Sequence, residues 1–193
     1  MWRSMGYTVA TLDPSTWDVF AELVERNNGV FGGCWCTAFH SEGQQRGLDR
    51  RAIKHERVLS DRTHAALVLD DDGLVQGWCQ WGTPAELPSI KHRRVYLSQP
   101  SSPPDWRITC FYVDSKHRGQ GVARAALGGA IEQIVHAGGG LVEAIPEVTV
   151  GRVAVGRFLY SATVELFEDF GFARQRQVGK HAWVVSRTID PAS

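Results

Sequence analysis

A chain of 193 residues that is 43% hydrophobic and 22% charged can bury an apolar core without disulfide or metal staples, which excludes the disordered and fibrous classes. Its 21 basic and 21 acidic side chains cancel, so no global field recruits a nucleic acid or an anionic membrane surface, and no run of ~20 apolar residues is present to span a bilayer. The start, Met1-Trp2-Arg3-Ser4-Met5-Gly6-Tyr7, lacks the apolar run of a signal peptide, so the four cysteines (Cys34, Cys36, Cys79, Cys110) read as reduced thiols and the expectation is a cytoplasmic protein of one domain, residues 1–193.

Tyr7 to Leu12 reads as a first strand, and Asp13-Pro14 as the N-cap and first position of a helix. Trp17, Phe20, Ala21 and Val24 give that helix one buried stripe, and Asn27-Asn28-Gly29 ends it. An aromatic, Cys-rich segment from Val30 to His40 follows. Arg46 to Arg62 reads as a second helix with Leu48, Ala52, Ile53 and Leu59 inward and its arginines on a solvated face. Ala65 to Leu69 and Leu74 to Trp81 are strand-like and joined by Asp70-Asp71-Asp72-Gly73, a hairpin signal.

Gly82 to Asp105 holds five of the eight prolines and reads as a long loop or lid, with Lys91-His92-Arg93-Arg94 in it as a solvated run. Arg107 to Val113 is an apolar, β-branched and aromatic strand. The helix expected from Gly121 to about Ala137 carries Val122, Ala123, Ala126, Leu127, Ala130, Ile131, Ile134 and Val135 on a face that presses onto a sheet, and Gly138-Gly139-Gly140 ends it. Leu141 to Ile145 is a strand, so this unit demands parallel pairing and a right-handed crossover. A loop from Pro146 to Tyr160, a helix from Ser161 to Phe170 and a terminal hairpin (Phe172 to Gln177, His181 to Thr188) complete the chain.

The stretch that carries chemistry is Val113-Asp114-Ser115-Lys116-His117-Arg118-Gly119-Gln120-Gly121-Val122-Ala123, between a strand and a helix. Its two glycines permit a tight turn, and the unpaired N–H groups that open the helix form an anion site, with Lys116, His117, Arg118 and Arg124 adding positive charge. A Rossmann glycine triplet and a P-loop Gly-Lys-Ser/Thr are both absent. What remains resembles the acetyl-CoA motif of the GNAT superfamily, Gln/Arg-x-x-Gly-x-Gly/Ala, matched by Arg118, Gly121 and Ala123. Phe170-Gly171-Phe172 is similar to the helix-end Gly-Phe of that superfamily, and the order of elements resembles a GNAT chain over roughly residues 7 to 188.

The resemblance implies an α/β (α+β) fold: a mixed, mostly antiparallel central sheet with a splayed parallel strand pair and flanking helices. It implies acetyl-CoA or another acyl-CoA as co-substrate, no metal, and N-acetyl transfer by direct attack of a primary amine on a small molecule or peptide. A non-catalytic acyl-CoA-binding or regulatory protein is the alternative. Backbone groups of Phe111 and Val113, with Tyr112 between them, would pair with the pantetheine arm. The amides of Arg118, Gly119, Gln120, Gly121, Val122 and Ala123 would hold the pyrophosphate. The exposed sheet edges are compatible with a homodimer.

Acyl transfer needs a neutral amine, a polarised thioester carbonyl and a proton for the departing thiolate. The strand before the motif contains no glutamate, so Glu143 is the substitute base, with a paired structural glutamate as the other reading. The tyrosine that serves many members as acid is here Phe167, which leaves Tyr160 as the candidate phenol and Ser161 as a ligand of the pantetheine, with Tyr112 behind them. Cys34-Trp35-Cys36 with His40 offers three metal ligands but no fourth, so no metal is assigned. Trp35, Trp78, Trp81 and Trp106 are assigned to the core and to the wall of an acceptor pocket.

Overall fold

Alternation in the strands places two apolar faces on one sheet. The computed structural model describes residues 6–43, 45–99, 102–149, 151 and 159–192. In chain order these form β1 (Thr8–Thr11), α1 (Trp17–Arg26), α2 (Arg50–Leu59), β2 (His64–Leu69), β3 (Val75–Gly82), α3 (Arg93–Leu97), β4 (Trp106–Val113), a 3-10 turn at Ser115–His117, α4 (Val122–His136), β5 (Gly140–Ala144), α5 (Val164–Asp169), β6 (Ala173–Gln177) and β7 (Trp183–Ile189). The strand order is β1-β2-β3-β4-β5-β7-β6, antiparallel throughout except for the parallel pair β4–β5.

β2 shows how the period of two divides the core. Its Ala66 and Val68 join one cluster with Val122, Leu127 and Ile134 of α4 and Phe167 of α5, whereas Ala65 and Leu67 join Phe20, Leu23 and Val24 of α1 on the opposite face. Two glycines allow α4 to lie close to the sheet. A Cβ at Gly129 would stand 2.4 Å from Val9 Cγ1, and one at Gly77 would stand 2.5 Å from the Tyr112 carbonyl and 2.7 Å from Val122 Cγ1.

Several expectations are corrected. The first helix begins at Trp17, not after Asp13, because Asp13 Oδ1 accepts from the amides of Ser15 (2.7 Å) and Thr16 (3.2 Å) and closes a separate turn, while Thr16 Oγ1 donates to the Thr11 carbonyl at 2.7 Å. The second helix spans only Arg50–Leu59 and presents a different face: Leu48 and Leu59 are exposed, and Lys54, Arg57 and Val58 are buried. Specific partners make that polar face tolerable, since Arg57 Nη2 pairs with Glu42 at 2.7 Å and Lys54 Nζ donates to Thr63 Oγ1 at 2.7 Å. The Pro-rich segment contains the short helix α3, and the last helix starts at Val164, capped by the Thr163 hydroxyl that accepts from Leu166 N. The terminal hairpin forms with its second strand, β7, inserted between β5 and β6. Much of the expected loop from Pro146 to Tyr160, namely 150 and 152–158, lies outside the described residues.

Candidate active site

β4 pairs with β5 only through Trp106↔Val142, Arg107↔Glu143 and Ile108↔Ala144. Its pairing with β3 jumps from Gln80↔Cys110 to Trp81↔Ile108, so Thr109 is an extra residue, a bulge that bends the strand at the point where β5 departs. Beyond it, the backbone of Phe111 and Val113 faces the opening, because Asp114 N donates across the other edge to Gln76 O and strand groups alternate in direction. The Phe111 N–H is taken by the Tyr160 carbonyl at 2.6 Å, which places Tyr160 against the open edge of β4.

The loop after β4 is fastened at both ends. Asp114 Oδ1 accepts from Lys116 N, and its other oxygen receives Asn27 Nδ2 at 3.3 Å and Arg26 Nε at 3.4 Å, contacts that hold its carboxyl below the ordinary range despite partial burial. Tyr7 Oη donates to Gln120 Oε1 at 3.1 Å, which makes His117 Nδ1, 2.9 Å away, the donor to Tyr7. Gly119 and Gly121 both have positive φ, +74° and +85°, and Gly121 is the N-cap of α4, so the first amides of that helix have no acceptor within it. These amides open on a cleft of about 380 Å³ lined along one wall by Arg118, Gly119, Gly121, Val122 and Ala123, and along the other by Phe111, Tyr112, Val113 and Leu166. Helix dipole, open amides and the Arg118 side chain all favour negative charge at this end.

Next to the cleft lies a vestibule of about 360 Å³ lined by Phe31, Cys34, Phe39, Ile90, Cys110 and Tyr160, with Lys91 at its rim. Adjoining it, across Phe39, Ser89, Ile90 and Lys91, is a cavity of about 30 Å³ at β4 and β5, lined by Arg107, Thr109, Glu143, Lys91 and Ser161. Lys91 Nζ donates to Glu147 Oε1 at 2.5 Å and to Ser161 Oγ at 3.1 Å, and it stands 5.1 Å from the centre of the Tyr160 ring. Burial raises the Tyr160 phenol above its ordinary value, so it keeps its proton at neutral pH. Burial also raises the Glu143 carboxyl, against the hydrogen bond from Tyr96 and the nearby Arg107 and Arg176.

The structure places Glu143, Tyr160 and Ser161 around two adjoining cavities that share Phe39, Ser89, Ile90 and Lys91, with Tyr160 on the vestibule and the other two on the smaller cavity. Phe111, Tyr112, Val113, Arg118, Gly119, Gly121, Val122 and Ala123 line the cleft beside it. Gln120 turns its side chain to Tyr7, and Ser161 lies in the inner cavity, so neither lines the cleft. Phe167, where a phenol was sought, is buried edge-on against Phe111 and Phe172. Of the four tryptophans assigned to the core and the acceptor wall, the core holds its share and none lines the vestibule: Trp78 and Trp35 pack around Phe20, and Trp81 packs on Trp106. Sequence reasoning missed Lys91, which lay in a basic run taken as solvated. Its neighbours His92, Arg93 and Arg94 are exposed, and Lys91 alone of the four turns inward. It also missed Phe31 and Phe39, which no periodic pattern marks.

His40 is wholly buried, and its Nδ1 lies 2.8 Å from the Glu86 carbonyl, so that nitrogen carries the hydrogen. Nε2 accepts, from Thr63 Oγ1 at 3.1 Å and Gln80 Nε2 at 3.0 Å, and burial with the cations of Lys54 and Arg57 pushes its pKa down to about 3. Both ring nitrogens are thus engaged by the protein itself. Among the described residues no group of three His, Cys, Asp or Glu side chains is arranged to hold a metal ion, and no helix is long and apolar enough to cross a membrane.

Comparison with known proteins gives a consistent result. The acetyltransferase (GNAT) family profile matches residues 23–172. No curated protein sequence matches the chain. Among solved structures, a Corynebacterium glutamicum protein described as a histone acetyltransferase and related acetyltransferase superposes with a TM-score of 0.55 at 16% identity, over 98% of each chain. A phosphinothricin acetyltransferase from Sinorhizobium meliloti, in complex with acetyl-CoA, gives 0.55 at 12% identity over 96% of this chain and 90% of that one. A GNAT family N-acetyltransferase from Escherichia coli in complex with CoA gives 0.51 at 15%, over 97% and 84%. At these identities the likeness is one of fold.

Proposed function

Because this chain belongs to the acetyltransferase (GNAT) family, we propose that it transfers an acetyl group from acetyl-CoA to a primary amine by direct attack, all 193 residues serving one catalytic unit. The observation that carries this is the glycine-cornered loop at the start of α4, whose open amides lead into a cleft that runs along the free edge of β4 to Tyr160. The relatives crystallised with acetyl-CoA and CoA support the same co-substrate. In this arrangement the amides from Arg118 to Ala123 hold the pyrophosphate, and the Phe111 carbonyl and the backbone of Val113 order the pantetheine, the Phe111 N–H being already taken by the Tyr160 carbonyl.

The amine enters the vestibule beside the thioester. Glu143 draws off its proton through the narrow cavity, by way of one water, and burial brings that carboxyl nearer neutrality, as a general base requires. The neutral amine attacks the carbonyl carbon, the carbon–sulfur bond breaks, and the thiolate takes the proton of Tyr160; the acylated nitrogen then gives up its surplus proton, which restores the Tyr160 phenol, with the Lys91 ammonium and the Ser161 hydroxyl beside it to offset the negative charge meanwhile. The test is calorimetric titration with acetyl-CoA of the wild type and of Gly121→Glu, which places a side chain and a negative charge where the phosphates should sit at a φ of +85°. Micromolar binding abolished in the variant supports the assignment; no binding by the wild type overturns it.

A further inference from the structure

The lining of the vestibule restricts the acceptor, on the premise of the acetyl-CoA reading above. Among its described residues there is no carboxylate, and Lys91 is its one lysine or arginine. A polyamine, or a peptide rich in lysine, would therefore bring several cations to a site whose carboxylates are Glu147, already paired with Lys91, and Glu143, which can receive a single amino group. Carboxylate-bearing acceptors fare no better. Lys91 is committed to Glu147 at 2.5 Å, with side chains only 12% and 15% exposed, and Arg107, in the inner cavity, donates to the Leu87 carbonyl at 2.8 Å and faces Glu143. A substrate anion at either cation would have to compete with the carboxylate or carbonyl that the cation already serves.

What the vestibule does offer is aromatic surface. The Phe39 ring lies 6.1 Å from that of Tyr160, and the Phe31 ring lies 6.3 Å from it on another side, edge-on. Phe31 is 39% exposed, a large apolar side chain left open where cleft and vestibule meet, and Ile90 adds to the same wall. The volume, about 360 Å³, suits a single ring with a short chain, and the adjoining cavity of about 30 Å³ has room for an amino group or a water. Ser161, Thr109 and Glu143 at its inner end supply acceptors for amino hydrogens.

We propose that the acceptor is an arylalkylamine: a primary amine on an apolar aromatic body without a carboxylate, its ring among Phe31, Phe39 and Tyr160 and its amino group directed to Ser161 and Glu143. The experiment has two stages. Acetyl-CoA binding to the full chain is measured first by calorimetry, and its absence would overturn the co-substrate and this proposal together. With binding established, CoA release is followed with a thiol reagent for three probes: phenethylamine, phenylalanine and spermidine. The expected result is a kcat/KM for phenethylamine at least about tenfold above either of the others. Phe39→Ala should lower it about tenfold with the acetyl-CoA affinity unchanged. Phe39→Leu, which keeps apolar bulk without the ring, should fold and fall between the two. Equal or better turnover of spermidine or phenylalanine, or no turnover of any probe by protein that binds acetyl-CoA, would overturn the proposal while leaving the co-substrate intact.

Discussion

His40 makes the acid stability of this protein calculable. The ring is wholly buried and neutral, with Nδ1 donating to Glu86 O and Nε2 accepting from Thr63 and Gln80, so protonation would put a second donor against two groups that already donate. Its pKa of about 3 in the folded chain stands against 6.5 for an ordinary histidine. A base with a depressed folded pKa binds more protons when unfolded, so its stability contribution is complete above 6.5 and is lost as pH falls from 6.5 towards 3, at a limiting slope of about 1.4 kcal/mol per unit. Over the first unit and a half, from about pH 6.5 to 5, this amounts to ~2 kcal/mol, or roughly 4–8 °C in Tm for a chain of this length. That window precedes the protonation of carboxylates held low by their partners, such as Glu86 at about 2. Urea unfolding at several pH values in this window would measure the slope for the wild type and for His40→Gln, whose amide can donate to Glu86 O and accept from Thr63. The difference between the two proteins isolates His40 from Glu143, whose raised carboxyl has the opposite dependence. Equal slopes in both proteins would refute the argument.

Replacing Lys54 by methionine should raise stability by ~1–2 kcal/mol at neutral pH, because a wholly buried ammonium that donates to Thr63 Oγ1 gives way to an apolar chain of similar length beside Phe20. Burial lowers the Lys54 pKa, so the unfolded chain binds the extra proton; wild-type stability then rises with pH towards 10.5, and the advantage of Lys54→Met seen in thermal melts should shrink over that range. Gly77→Ala puts a Cβ 2.5 Å from the Tyr112 carbonyl and should destabilise by ~1–3 kcal/mol while also weakening acetyl-CoA binding in calorimetry, since the displaced Val122 is the first residue of α4. Tyr160→Phe should lower kcat about 10²-fold with the dissociation constant of acetyl-CoA unchanged. An unchanged kcat would remove Tyr160 from the proton transfer.

The order of strands and helices, the buried rows of α1 and α4, the hairpin at Asp70 to Gly73 and the glycine turn that opens α4 were legible in the sequence because each is written in neighbouring residues. Periods of 3.6 and 2, a glycine at a turn and a cap before a helix all act within a few positions. The fold class followed, since a strand–helix–strand unit after a hairpin forces a mixed sheet. What escaped depended on distant partners. The inward face of α2 could not be read from Leu48 and Leu59, because Lys54 and Arg57 are buried only through Thr63 and Glu42, which approach when the chain folds. Lys91 was indistinguishable from its basic neighbours until Glu147 and Ser161 came within reach of it. The splay of β4 from β5, the Thr109 bulge and the wall of Phe31 and Phe39 arise from three separate segments meeting at one strand edge. Local composition thus determined the scaffold and the glycine-cornered loop before α4 by short-range geometry, whereas the lining of the vestibule was decided by long-range pairing, for which no single stretch of sequence carries the physical cause.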